Sequence, residues 1–222
     1  MGYNIAIDGP AGAGKSTIAR KTAKQLGFIY VDTGAMYRAM GVFLMREGID
    51  PADADAVSAK CTEADITIRY ENGEQVVYLN GENVNSVIRT EQAGTMASLT
   101  SQNPDVRKKL VELQQRLAAD ADVVMDGRDI GTCVLPDAQV KVYLTAGSRV
   151  RAKRRYDELA AKGESCDIEK IEADIIERDR QDMTREISPL RQAEDAVLVD
   201  SSDMTIEEVA ARIMELVSDT VD

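Results

Sequence analysis

The run Gly9-Pro10-Ala11-Gly12-Ala13-Gly14-Lys15-Ser16 follows the apolar segment Tyr3-Asn4-Ile5-Ala6-Ile7 and precedes a helix-forming stretch. A strand, a glycine-rich loop and a helix in that order make a P-loop. This narrows the fold sharply, because the loop works only where a buried strand delivers it and a helix N-terminus leaves it. Its backbone N–H groups form a concave site for phosphate oxygens. Lys15 adds a mobile positive charge for the outer phosphates, and the Ser16 hydroxyl suits magnesium. The residues Gly9, Pro10, Ala11, Gly12, Ala13, Gly14, Lys15, Ser16 and Thr17 are therefore expected to hold a nucleoside triphosphate.

The bulk composition removes several alternatives. At 222 residues and 24.2 kDa the chain can bury a full core, and a single domain with insertions is expected. It contains no histidine, which excludes Ser–His catalysis and His-ligated metal sites. Cys61, Cys133 and Cys166 are widely separated, so they form no metal-binding spacing and suit ordinary thiols in a reducing compartment. No run approaches membrane-spanning length and no basic-then-apolar leader opens the chain, so a cytoplasmic location is expected. A net charge of −12 argues against a nucleic-acid surface and requires any positive charge facing phosphates to be concentrated locally.

Five short apolar runs read as buried parallel strands: Asn4–Ile7, Phe28–Val31, Val123–Met125, Val140–Leu144 and Ala196–Val199. Helical patterns separate most of them, the α/β signature. The helix after the loop is expected from Lys15 to about Leu26, stopping at Gly27; the last helix is expected from about Thr205, with Glu208 as capping-box partner. Between Asp65 and Val87 the rhythm changes. Two alternating segments flank Asn72-Gly73 and a further turn signal stands at Asn80-Gly81, so a small β insertion is expected there. Asp8, Asp32, Asp126 and Asp200 close four of the strands, where ligands of open α/β sheets bind. An aspartate is also an ordinary turn and cap residue; that reading is preferred for Asp8 and Asp200, and function for Asp32 and Asp126.

Three arginine-bearing clusters follow. Asp32-Thr33-Gly34-Ala35-Met36-Tyr37-Arg38 sets a helix N-terminus, a hydroxyl and Arg38 where they can converge on a phosphate; spacing alone equally allows a capped helix with an exposed arginine. Asp126-Gly127-Arg128-Asp129-Ile130-Gly131-Thr132 places Asp126 as a Walker-B-like acid that can hold magnesium through water, with Arg128 ready to grip a phosphate. Arg149, Arg151, Lys153, Arg154 and Arg155 form a basic helical run, and Arg178, Asp182 and Arg185 share one face farther on. Taken singly each group suits a solvated helix. Together, in an acidic P-loop protein, they suit a mobile lid.

These blocks resemble the bacterial cytidylate kinases, within the P-loop nucleoside monophosphate kinases. The resemblance runs through Gly9–Thr17, Asp32–Arg38, Ile88-Arg89-Thr90, Asp126–Thr132 and Glu177-Arg178-Asp179 to Pro189-Leu190. It implies an α/β P-loop kinase fold: a five-stranded parallel sheet flanked by helices, a small β-containing NMP-binding insertion and a helical lid. The core would comprise residues 1–32, 88–147 and 190–222, the NMP-binding region 33–87 and the lid 148–189. By the same resemblance Lys15, Arg128 and Arg185 are the catalytic residues, and Arg38, Arg128 and Arg185 handle the monophosphate and the transferring phosphoryl group. Ser98, Arg107 and Asp129 match the cytosine-reading set. Arg178 and Asp182 lie near the ribose, Thr33 and Tyr37 belong with the acceptor, and Arg154 and Arg155 cover ATP. The family often carries Gly followed by Thr where this chain has Ser16 and Thr17, so either hydroxyl is a candidate for the metal.

The implied reaction is ATP + (d)CMP = ADP + (d)CDP with Mg2+, in a monomer that binds neither nucleic acid nor membrane. A monophosphate oxygen is already largely anionic near neutrality, with a second pKa of about 6. No general base is needed, which agrees with a chain lacking histidine. The rival readings are a kinase for UMP, AMP or a hydroxyl-bearing metabolite, and a P-loop switch that binds without transfer. A GTP switch would ordinarily carry an Asn-Lys-x-Asp motif, which is absent here.

Overall fold

The computed structural model describes residues 2–220; Met1, Val221 and Asp222, assigned above to the core, lie outside the described residues. The chain runs β1 (Asn4–Asp8), α1 (Lys15–Leu26), β2 (Ile29–Asp32), α2 (Thr33–Arg46) and α3 (Ala54–Cys61). Three short strands follow, β3 (Ile66–Glu71), β4 (Glu74–Leu79) and β5 (Glu82–Asn83), then α4 (Glu91–Thr100) and α5 (Pro104–Ala119). The remainder is β6 (Val123–Gly127), β7 (Val140–Thr145), α6 (Ser148–Ala161), α7 (Ile168–Thr184), β8 (Val197–Asp200) and α8 (Ile206–Ser218).

The five expected strands form one parallel sheet in the order β2-β6-β1-β7-β8, which makes β1 its centre. Ile5, Ala6 and Ile7 are fully buried, as a strand covered on both faces requires. The β1–β6 register pairs Ile7 with Asp126 and Asp8 with Gly127, so both strands end at the same edge. Gly27 takes φ 72° and stops α1 as expected. Thr205 and Glu208 form the reciprocal capping box at the start of α8. No helix among the described residues is long and apolar enough to cross a membrane.

Contacts divide the chain into two compact units. One contains Gly2–Ile29 and the residues from Ala121 onward; the other spans Tyr30–Asp120. In the second, β3, β4 and β5 form an antiparallel sheet, with Asn72 and Gly73 at φ 53° and 79° in the tight turn. Its alternation buries Ile66 on one face. α2 is buried along most of its length because it packs against α4, and Gly41 permits the approach: a Cβ there would lie 3.0 Å from the Ala97 amide nitrogen.

Candidate active site

β1 delivers the glycine-rich loop from the sheet's carboxyl edge. Gly9 has φ 147°, and a Cβ there would fall 1.9 Å from the Leu144 carbonyl oxygen of β7, so no other residue fits the turn. The loop's carbonyls find donors within the protein. Pro10 O accepts from Lys15 Nζ at 2.7 Å, Ala11 O from Arg151 Nη1 at 2.8 Å, Ala13 O from the Ser201 hydroxyl at 3.5 Å and Gly14 O from Ile18 N at 3.1 Å. The loop's affinity for anions thus rests on its N–H groups and the N-terminus of α1.

Lys15 is buried, and desolvation pushes its amine down to about 7, with the Arg128 charge adding to the effect. Asp126, Asp8 and Asp182 act in the opposite direction. A group of phosphates would supply the negative charge that restores the ammonium. Ser16 Oγ donates to Asp126 Oδ2 at 2.9 Å, bringing a hydroxyl and a strand-end carboxylate together at the mouth of the loop. That pair of hard oxygens fits magnesium, which is ordinarily held by one or two protein oxygens together with substrate phosphates.

Beyond β6 the chain makes a turn with i→i+5 hydrogen bonds, from Val134 N to Asp129 O and from Leu135 N to Ile130 O. The Asp8 carboxylate holds this turn by accepting from Ile130 N at 2.8 Å and Gly131 N at 2.7 Å. Burial pushes Asp8 up to about 6 despite those two amides. The bland reading of Asp8 is therefore incomplete, since it fixes the segment that carries Arg128 and Asp129. Arg128 Nε donates to Asp182 Oδ2 of α7 at 2.8 Å. Arg185 and Asp129 are both buried and pair at 3.6 Å.

The arginines of α6 and α7 differ in their surroundings. Arg185 stands just past Thr184, the last residue of α7, and its N–H still donates to Gln181 O at 3.1 Å with φ −62°, so its side chain leaves in the helical direction. Its Nε donates to Ser188 O at 2.6 Å. Arg151 and Arg155 both lie on α6, four residues apart. Arg151 is buried, whereas Arg155 is exposed and paired with Glu158 at 2.9 Å. Arg154 donates to Ser201 O at 2.7 Å, beside the loop after β8. Arg178 is exposed on α7.

The other unit gathers its own set. Asp32 caps α2 by accepting from Ala35 N at 2.9 Å and pairs with Arg38 at 3.1 Å. Gly34 makes room for that pair: a Cβ there would lie 3.1 Å from Arg38 Nη1. Thr33 is buried at the first position of α2. Arg107 of α5 is buried, donates to Ser101 O at 3.4 Å and lies over the Tyr37 ring at 5.8 Å. Ser98 is half-buried on α4. The loop-bearing unit thus holds Lys15, Ser16, Asp126, Arg128, Asp129, Arg154, Asp182 and Arg185, and the other holds Thr33, Tyr37, Arg38, Ser98 and Arg107.

A central parallel strand, a glycine-rich loop closed by a lysine at a helix start, and an acid on the neighbouring strand define a P-loop nucleotide-binding protein. The chain belongs to the cytidylate kinase family, whose profile matches residues 5–219. It is 49% identical over 213 residues to the cytidylate kinase of Caldicellulosiruptor bescii, covering 96% of this chain and 94% of that one. It is 47% identical over 218 residues to that of Shouchella clausii, covering 98% and 97%. A solved structure of an uncharacterized protein from Eubacterium ventriosum shares the fold, with TM-score 0.53, 12% identity and 99% coverage of both chains.

Proposed function

We propose that this protein transfers the γ-phosphoryl group of ATP to CMP or dCMP, giving ADP and CDP or dCDP. The observation that carries the reading is the match to cytidylate kinases over nearly the whole chain, with the P-loop and its buried Lys15 intact. Membership of a kinase family implies ATP-dependent phosphoryl transfer.

Lys15, Arg128 and Arg185 are assigned to the transferring group, and Gly9–Thr17 with Arg154 and Arg155 to ATP. Their task is positioning and charge stabilisation around a loose, in-line transition state. The acceptor oxygen arrives anionic, so no side chain has to remove a proton. Ser16, and Asp126 through water, would hold Mg2+, which neutralises charge on the phosphates; the 2.9 Å contact between the two favours Ser16 over Thr17. Thr33, Tyr37 and Arg38 are assigned to the acceptor's phosphate side, and Arg178 and Asp182 to its ribose.

Ser98, Arg107 and Asp129 are assigned to the base. A carboxylate accepts from the cytosine amino group, and Arg107 and Ser98 donate to its ring nitrogen and carbonyl. Uracil reverses that pattern and leaves buried groups mispaired, a mismatch that discriminates by ~10⁴ in a dry site. Residues 33–87 serve as acceptor region and 148–189 as lid, in a cytoplasmic monomer that binds neither nucleic acid nor membrane. The strongly acidic charge supports the exclusion of nucleic acid.

Initial rates with ATP and magnesium against CMP, dCMP, UMP and AMP, beside an ATP-only control, test the proposal. Preference for CMP or dCMP is expected. Preference for UMP or AMP would overturn the base-reading set, and an absence of acceptor-dependent ADP would overturn the kinase reading.

A further inference from the structure

The assignments above use Arg154 and Arg155 of the basic run and leave Arg151 without a task. Its surroundings set it apart from its neighbours on α6. Lys153 and Arg155 are exposed and pair locally with Asp157 and Glu158. The Arg151 side chain is only 6% exposed, and its partners come from three segments. Nε donates to Ala146 O at 2.8 Å, just before α6. Nη1 donates to Ala11 O of the glycine-rich loop at 2.8 Å and to Asp179 Oδ1 of α7 at 3.1 Å, while Nη2 donates to Asp179 Oδ2 at 2.5 Å. A planar fork of fixed donors can meet a bidentate carboxylate and two carbonyls at once; a lysine cannot.

The bond to Ala11 O bears on phosphate binding through the geometry of the peptide unit. The Ala11 carbonyl and the Gly12 N–H belong to one rigid trans plane and point in opposite directions. Holding the oxygen toward α6 therefore sets where the Gly12 N–H points. This peptide needs a hold, because Gly12 lies at φ 77° with no Cβ to bar rotation of the plane. The nearest atoms to where its Cβ would be are Arg151 Cβ, Cγ and Cδ, so the same side chain also packs against the loop.

We infer that Arg151, clamped by Asp179, is a positioning residue for the nucleotide loop: it turns the Ala11 carbonyl away from the phosphate site and aims the Gly12 N–H into it. The inference rests on the reading of Gly9–Thr17 as the ATP site. It also links α7 to the donor loop through Asp179, one helical turn before the Asp182 that holds Arg128.

The test uses the full chain with Arg151→Lys, Asp179→Asn and the double variant, and Lys153→Ala as an exposed control. ATP and ADP dissociation constants from calorimetry, KM for CMP and thermal midpoints are measured together. Loss of a charge-assisted link that preorganises the loop is expected to weaken ATP binding about tenfold to a hundredfold. KM for CMP should stay within about twofold, and the double variant should be little worse than the worse single one, as two ends of one link require. Lys153→Ala should bind as wild type. If Arg151→Lys does not fold, Asp179→Asn carries the same readout in a side chain of unchanged size. Folded variants with wild-type ATP affinity, or an equal rise in KM for CMP, would overturn the inference. A wild-type protein that binds no ATP would overturn the site itself, an outcome distinct from either.

Discussion

Asp8→Asn should separate stability from activity, and its size follows from two hydrogen bonds and one burial. The Asp8 carboxylate is 5% exposed and accepts from the Ile130 and Gly131 amides. Burial nonetheless raises its pKa from 3.8 to about 6, so the charged form costs the native state about 3 kcal/mol, at about 1.4 kcal/mol per factor of ten. Asparagine removes that charge but keeps only one acceptor, leaving its NH2 against the other amide at a cost of about 1–3 kcal/mol. At pH 7.5 the variant should therefore be at least as stable as wild type.

The pH dependence has a definite sign. Native Asp8 binds its proton more tightly than unfolded Asp8, so the wild type gains stability as pH falls through about 6 toward 3.8. Between pH 7.5 and 5 the wild type should gain about 1.4 kcal/mol on the variant, measured as urea unfolding free energies of the nucleotide-free proteins. Activity should move differently. A displaced turn misplaces Arg128 and Asp129, and kcat/KM for CMP should fall about 10-fold to 100-fold. A stability gap that does not change with pH would refute the buried, raised carboxylate. Wild-type kinetics in Asp8→Asn would refute its hold on the turn.

Three further outcomes are expected. Lys15→Met should abolish ADP binding in calorimetry without lowering the unfolding midpoint at pH 7. Because native Lys15 is depressed to about 7, the wild type should gain stability on the variant as pH rises from about 7 toward 10. Asp129→Asn should reduce the CMP-over-UMP ratio of kcat/KM by at least ~10², since the amino group of cytosine loses its charged acceptor. Thr205→Ala should cost about 1 kcal/mol and lower Tm by about 2–4 °C in a chain of this size while leaving kcat unchanged, because it breaks only the α8 capping box.

The sequence made the elements plain wherever local chemistry decides them. The β1 run, the Gly27 stop, the Asn72-Gly73 turn and the Thr205–Glu208 box each depend on neighbours within a few residues, and the structure has them all. Local pattern failed where a distant partner decides. The Arg178, Asp182, Arg185 spacing suits one helix face, but only the distant partners Arg128 and Asp129 show that Asp182 and Arg185 are engaged from it while Arg178 is exposed. Arg151 and Arg155 look equivalent by period. Only the carbonyl of Ala11, 140 positions away, and the carboxylate of Asp179 mark Arg151 as buried and Arg155 as solvated. The division at Tyr30 and Asp120 had no sequence signal either, since no linker composition accompanies it.

The four strand-end aspartates show how one sequence signal becomes several chemistries. Asp200 orders the turn into α8 by accepting from Ser202 N at 2.9 Å, and Asp32 caps α2 while pairing with Arg38. Those partners are local. Asp8 and Asp126 take theirs across the sheet, from the turn after β6 and from the start of α1. The β1–β6 register puts Asp8 level with Gly127 and Ile7 level with Asp126, so the two acids reach the same edge as Lys15. Each pulls the Lys15 amine toward its charged form while burial and Arg128 pull it the other way. The charge of the loop lysine is thus a property of strand pairing: a one-residue slip of β6 would carry Asp126 to the opposite face and leave Ser16 and Lys15 without it.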